Sequence, residues 1–206
     1  QNPLDTTPQN QAATFRNQDR TRPVRAIRRG AKVRALPVHA TSLEGLRYTP
    51  PGATAARSVD DFMAGRRGGL LVLKRGEIAL ERYGMGNTPE SRWTSFSTAK
   101  SMTSTLAGAA LKDGAIRSLD DPAERYLPQL KGSAYEGVTI RNILRMCSGV
   151  GWKEDYDPNG TSDIVRLSTA LQTGRPGALL EVMRTLPRAA PQGTKFNYST
   201  GESCVL

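Results

Sequence analysis

Ser95-Phe-Ser-Thr-Ala-Lys-Ser-Met-Thr-Ser-Thr-Leu-Ala-Gly-Ala-Ala-Leu-Lys-Asp-Gly114 sets Ala99, Met102, Leu106, Ala109 and Ala110 at helical spacing and closes with a glycine stop. Its small side chains predict a closely packed, buried helix. Just upstream the period changes. Gly69-Leu-Leu-Val-Leu-Lys-Arg-Gly-Glu-Ile-Ala-Leu-Glu-Arg-Tyr-Gly84 holds an apolar run, a turn at Lys74-Arg-Gly-Glu77, and a second run in which Ile78, Leu80 and Arg82 alternate with Ala79, Glu81 and Tyr83. That pattern predicts a β-hairpin in a half-buried antiparallel sheet. Downstream, short helices are expected after Ser118-Leu-Asp-Asp-Pro122, over 139–146, 164–171 and 179–185, with a polar loop at 152–162. Pro191-Gln-Gly193 turns into Phe196-Asn-Tyr-Ser-Thr-Gly201. Strands first and helices after indicate an α+β fold.

The outer segments read differently. Residues 1–22 are rich in Gln, Asn, Thr and Pro, with Phe15 as the apolar anchor, and are expected to form an extended arm draped over the body. From Pro23 to Gly52, apolar clusters broken by Pro37, Pro50 and Pro51 predict a surface wrap without long elements. Ser58 to Gly65 reads as a short capped helix. The expected organisation is an arm and wrap over 1–57, a helix and hairpin over 58–90, and a helical region over 91–206.

Composition narrows the function classes. The 206 residues are 37% hydrophobic, enough for a packed core. No apolar run approaches the roughly 18 residues of a membrane-spanning helix. Two cysteines, Cys147 and Cys204, make neither a disulfide scaffold nor a metal-ligand pattern, and His39 is the single histidine. No metal or cofactor is expected. The net charge of +10 raises polyanion binding, yet residues 1–40 hold eight cations against two acids and account for most of the surplus. That stretch lacks interleaved aromatics, so no specific nucleic-acid partner is expected.

Ser97 and Lys100 lie three apart and share a helix face, with Ser97 in the first turn. Backbone N–H groups and the positive end of the helix dipole favour negative charge there. A lysine packed beneath the hydroxyl and partly desolvated is a credible base, so the pair suits nucleophilic catalysis without histidine. Tyr198, in the Phe196–Gly201 turn, is a second candidate: a tyrosine near a lysine relays the proton of the serine hydroxyl. Its other reading is a tyrosine hydrogen-bonded at a turn.

In these stretches the chain resembles the serine β-lactamase-like hydrolases, in the branch of class C β-lactamases, esterases and 6-aminohexanoate-dimer hydrolases. The resemblance rests on the hairpin, Trp93-Thr-Ser-Phe-Ser-Thr-Ala-Lys-Ser101, Gly114-Ala-Ile-Arg-Ser-Leu-Asp-Asp-Pro122, Thr139-Ile-Arg-Asn-Ile-Leu-Arg-Met-Cys-Ser-Gly149 and Pro191-Gln-Gly-Thr-Lys-Phe-Asn-Tyr-Ser199, in family order over residues 66–206. It implies a β-lactamase/transpeptidase-like fold: an antiparallel sheet flanked by helices, plus an all-helical region. It also implies Ser97 as the acylated nucleophile, Lys100 as its base partner and Tyr198 as the tyrosine of the second motif.

Two departures shape the expected substrate. Thr200 stands where the lactamase branch has Asn, and offers a substrate no amide donor. Glu154-Asp-Tyr156 looks like the amide-oligomer hydrolases, where a tyrosine at this place contacts substrate. The expected activity is hydrolysis of a small amide or ester, with Tyr156 and Thr200 binding substrate. A class C-type β-lactamase, a D-amino-acid peptidase, or a catalytically silent binding member of the fold are the alternatives. The third family motif, a Lys-or-His, Ser-or-Thr, Gly strand, does not follow Tyr198. The chain is therefore expected to supply only the N-terminal part of the sheet, completed by a C-terminal polypeptide. Periplasmic or secreted placement is expected, with the cytoplasm as the alternative.

Overall fold

The computed structural model describes residues 6–21, 24–65, 67–156 and 160–206, and the chain divides into two compact units, Gln1–Thr94 and Ser95–Leu206. In the first unit, β3 (Gly69–Lys74) and β4 (Glu77–Tyr83) form the expected hairpin, with Gly69 opposite Tyr83 and Lys74 opposite Glu77. Arg75 and Gly76 both take positive φ, as a two-residue turn matched to strand twist requires. The register shifts between Val72 and Leu73, and the alternation is lost locally. Ala79 and Leu80 are consecutive and both buried.

The wrap contributes to that burial. Residues 37–43 run beside the outer edge of β4, where Ile78 N–H donates to Pro37 (2.7 Å), and His39 and Leu43 N–H donate to Ile78 and Ala79 (2.9 Å each). This edge is thus covered rather than bare. A second small ladder pairs β1 (Arg47–Tyr48) with β2 (Arg57–Ser58). α3 (Val59–Met63) follows, opened by a full capping box between Ser58 and Asp61. Asp61's carboxyl is held below its ordinary range by the backbone and hydroxyl of Ser58.

The N-terminal arm departs from expectation. It is not extended: α1 (Gln11–Arg16) and α2 (Gln18–Thr21) are short helices. Thr7 and Asn10 exchange side-chain-to-backbone hydrogen bonds that start the first turn. The arm then docks on the loop after β4. Phe15 meets Trp93 edge-on at 5.4 Å, Thr94 N–H donates to the Phe15 carbonyl, and Arg16 donates to Asn87 (2.6 Å).

The second unit holds the main core. α4 (Thr98–Lys112) is followed by single 3-10 turns at Ala123–Arg125 and Pro128–Leu130, then α5 (Ile140–Leu144), α6 (Asp163–Gln172), α7 (Ala178–Arg184) and α8 (Thr200–Val205). Leu130, Tyr135, Val138, Ile143 and Met183 are fully buried at its centre. Thr139 caps α5 through Asn142 N–H, and Ser199 caps α8 through Glu202 N–H. The Ser148-Gly149 turn is fixed by Ala189 and Ala190 N–H groups donating to the Gly149 carbonyl.

α4 corrects the sequence reading. Only Ala107 is buried along it, while Met102 and Leu106 are 60% and 69% exposed. Small residues permit close packing but also suit an open helix, since Ala carries the highest helix propensity without any neighbour. α8 was not anticipated as a helix at all. Both cysteines are free, and no helix among the described residues is long and apolar enough to cross a membrane.

Candidate active site

The site grows from the start of α4. Phe96 takes φ +43°, an uncommon conformation for an aromatic residue, so the backbone turns sharply just before the helix. Thr98, Ala99 and Lys100 N–H groups then close three tight turns onto Ser95, Phe96 and Ser97 carbonyls. Ser97 sits at the N-cap, exposed, and its own N–H makes no hydrogen bond among the described residues. Lys100, one turn on and half-buried, donates from Nζ to Ser97 Oγ at 2.8 Å. That separation allows direct proton transfer between them.

Tyr198 joins this pair from a distant part of the chain. Lys100 Nζ lies 5.1 Å from the centre of the Tyr198 ring, within cation–π range. The tyrosine's position is set on both sides. Before it, Asn197 N–H donates to the Met146 carbonyl (2.8 Å) and Asn197 Nδ2 to the Trp152 carbonyl (3.2 Å). After it, Ser199 caps α8, leaving Tyr198 40% exposed.

Beside Tyr198 lies a network the sequence did not announce. Glu154 Oε2 accepts from Trp152 Nε1 (2.7 Å) and Thr200 N–H (2.8 Å), while Oε1 accepts from Thr200 Oγ1 (2.5 Å) and the Tyr156 hydroxyl. Burial raises the Glu154 carboxyl, but the bonds from Thr200, Tyr156 and Trp152 outweigh it and hold the group below its usual range. Tyr156 is pushed up to about 12, chiefly by burial and next by its bond to Glu154. The structure thus places Tyr156 and Thr200 together. Both hydroxyl protons are committed to Glu154, which leaves each oxygen with its lone pairs. Glu154 was visible in the Glu-Asp-Tyr run, but only its fourfold bonding reveals its part.

A second carboxylate lies beneath. Glu202, on the same short helix as Thr200, is 3% exposed, and its Oε2 has no hydrogen-bond partner among the described residues. Burial pushes its carboxyl up to about 7 against an opposing bond from Ser148. Among the described residues, no group of His, Cys, Asp and Glu is arranged to hold a metal ion.

Comparison with known proteins matches residues 55–206 to the family described as Beta-lactamase. A 6-aminohexanoate-dimer hydrolase of Paenarthrobacter ureafaciens is 32% identical over 144 residues, 66% of this chain and 36% of that protein. A β-lactamase of Pseudomonas fluorescens is 35% identical over 101 residues, 44% of this chain and 28% of that protein. The chain therefore spans about a third of the length of these curated relatives. A solved structure from Bacillus anthracis, described as a candidate 6-aminohexanoate-dimer hydrolase, superposes with a TM-score of 0.69 at 17% identity, over 84% of this chain and 47% of its own. A candidate β-lactamase from Bacteroides dorei gives 0.53 at 24% identity, over 71% of this chain and 41% of its own. The likeness to these structures establishes a β-lactamase/transpeptidase-like fold, and with the family match over well more than half its length the chain belongs to the Beta-lactamase family of hydrolases.

Proposed function

We propose that this chain carries the nucleophilic centre of a serine hydrolase that cleaves small amides or esters through an acyl-enzyme on Ser97. The observation that carries this reading is the 2.8 Å contact between Lys100 Nζ and Ser97 Oγ at an exposed helix start, with Tyr198 beside it. Lys100, when neutral, takes the Ser97 proton as Oγ attacks the carbonyl carbon. The negative oxygen forms next to the Ser97 N–H and the positive end of α4. The proton then passes, with Tyr198 next to the amine as relay, to the leaving nitrogen or oxygen as its bond to the carbonyl carbon breaks. Water repeats the sequence on the acyl-enzyme and frees Ser97.

Tyr156 and Thr200 form the neighbouring substrate wall. Thr200 in place of the lactamase branch's Asn, Tyr156 in the flanking loop and the likeness to a 6-aminohexanoate-dimer hydrolase favour linear amides or esters over β-lactams. A panel of nitrocefin, a short-chain nitrophenyl ester and an aminohexanoate-type amide tests this. Faster turnover of the ester or amide is expected, and nitrocefin turnover exceeding both would overturn it.

The sheet of this hydrolase is completed by further strands from a C-terminal polypeptide, paired along β3. Among the described residues that edge has no strand partner, and Leu71 and Leu73 lie exposed on the hairpin. Intact-mass analysis of active material tests it, since full activity from a lone 22.3 kDa species would be contrary.

A further inference from the structure

We infer that Glu154 sets the hydrogen-bond polarity of the substrate wall, so that the site prefers ligands carrying an N–H donor over isosteres that lack one. The inference rests on the reading of Tyr156 and Thr200 as substrate-facing and adds a positioning residue that touches no reacting atom. Its basis is the division of labour on one carboxylate. Oε1 collects the Tyr156 and Thr200 hydroxyl protons, and Oε2 collects the Trp152 indole and Thr200 backbone N–H groups.

An ionised carboxylate is acceptor-only, so every group around it must donate. A hydroxyl has a single proton. Once Tyr156 and Thr200 spend theirs on Oε1, their oxygens face a ligand with lone pairs alone. An amide N–H or an ammonium group is then matched by two acceptors. An ester oxygen at the same place faces lone pair against lone pair. The ionised state of Glu154 is secured by its four donors, so this polarity persists at neutral pH.

Replacing Glu154 by glutamine reverses part of the pattern without changing the shape. The carboxamide offers a single oxygen acceptor and an NH2 donor. The oxygen must stay with the Trp152 and Thr200 N–H donors, so the NH2 takes the place of Oε1, where Tyr156 and Thr200 accept from it and turn their own protons toward the ligand.

The test measures protection of Ser97 from a fluorophosphonate probe by two neutral competitors of the same shape, N-methylhexanamide and methyl hexanoate. In the native chain the amide should protect at lower concentration than the ester. In Glu154→Gln the ratio of the two half-protecting concentrations should fall toward unity, a change of about five- to tenfold, as befits one hydrogen bond. General damage to the site would weaken both competitors together and leave the ratio alone. Tyr156→Phe and Thr200→Val each remove one acceptor, and each should lower the ratio if Glu154→Gln fails to fold. No Ser97 labelling in active material that holds this chain with its C-terminal polypeptide would mean that the serine hydrolase reading has failed. Labelling at Ser97 with a ratio unmoved by any of the three variants would overturn the inference about Glu154 and leave that reading standing.

Discussion

Replacing Glu202 by glutamine should stabilise the helical unit in alkaline solution and change it little in acid. The native carboxyl is 3% exposed, lacks a partner for Oε2 among the described residues, and is pushed up to about 7 by burial. In the unfolded chain it returns to its ordinary value of 4.5. Between these values the folded state keeps a proton that the unfolded state has released, so stability declines as pH rises through that window. Above about pH 7 the loss is complete, and at about 1.4 kcal/mol per pH unit it amounts to about 3 kcal/mol. At pH 5 the same linkage leaves under about 1 kcal/mol. Glutamine resembles the protonated acid and carries no such loss. Urea unfolding followed by Trp152 fluorescence reports this unit directly. The chain has two tryptophans, so Trp152 stands alone in a Trp93→Phe background. Glu202→Gln should raise unfolding free energy by about 3 kcal/mol at pH 8.5 and by under about 1 kcal/mol at pH 5. An equal shift at both pH values, or a loss of stability at pH 8.5, would refute the reasoning.

Lys100→Ala and Tyr198→Phe should each slow acylation of Ser97 by about two orders of magnitude or more. Because they act as one proton-transfer unit, the double variant should lose far less than the product of the single losses, as labelling rates of all three will show. Gly149→Ala should destabilise the helical unit by more than about 2 kcal/mol in urea titration. Its φ is +78°, and a Cβ there would lie 2.1 Å from the Ala190 carbonyl oxygen, a backbone atom that cannot rotate away.

What could be read from sequence followed the strength of the local signal. The hairpin was legible because period-two alternation and an Arg-Gly turn agree, and Ser58 announced α3 by its cap. Helical spacing set Ser97 and Lys100 on one face, but that spacing recurs by chance; their place at the start of the Ala-rich helix and the family resemblance singled the pair out, and Nζ and Oγ do meet. The burial of α4 was misjudged, since Ala, Gly, Ser and Thr say nothing about which face, if any, is covered. The two N-terminal helices were missed because a few side-chain bonds from Thr7 and Asn10 start them against a composition that reads as coil. Glu154 and Glu202 stayed hidden for another reason. A carboxylate's role depends on which donors reach it, and residues 152, 156 and 200 meet only through the fold.

The central claim is that Ser97 is the acylated nucleophile. Active material, this chain together with its C-terminal polypeptide, should be incubated with a fluorophosphonate and the adduct located by peptide mass spectrometry, with Ser97→Ala alongside. A single adduct on the peptide containing Ser97, absent from Ser97→Ala while its folding is preserved, is the expected result. Modification elsewhere, or equal labelling of Ser97→Ala, would contradict the claim.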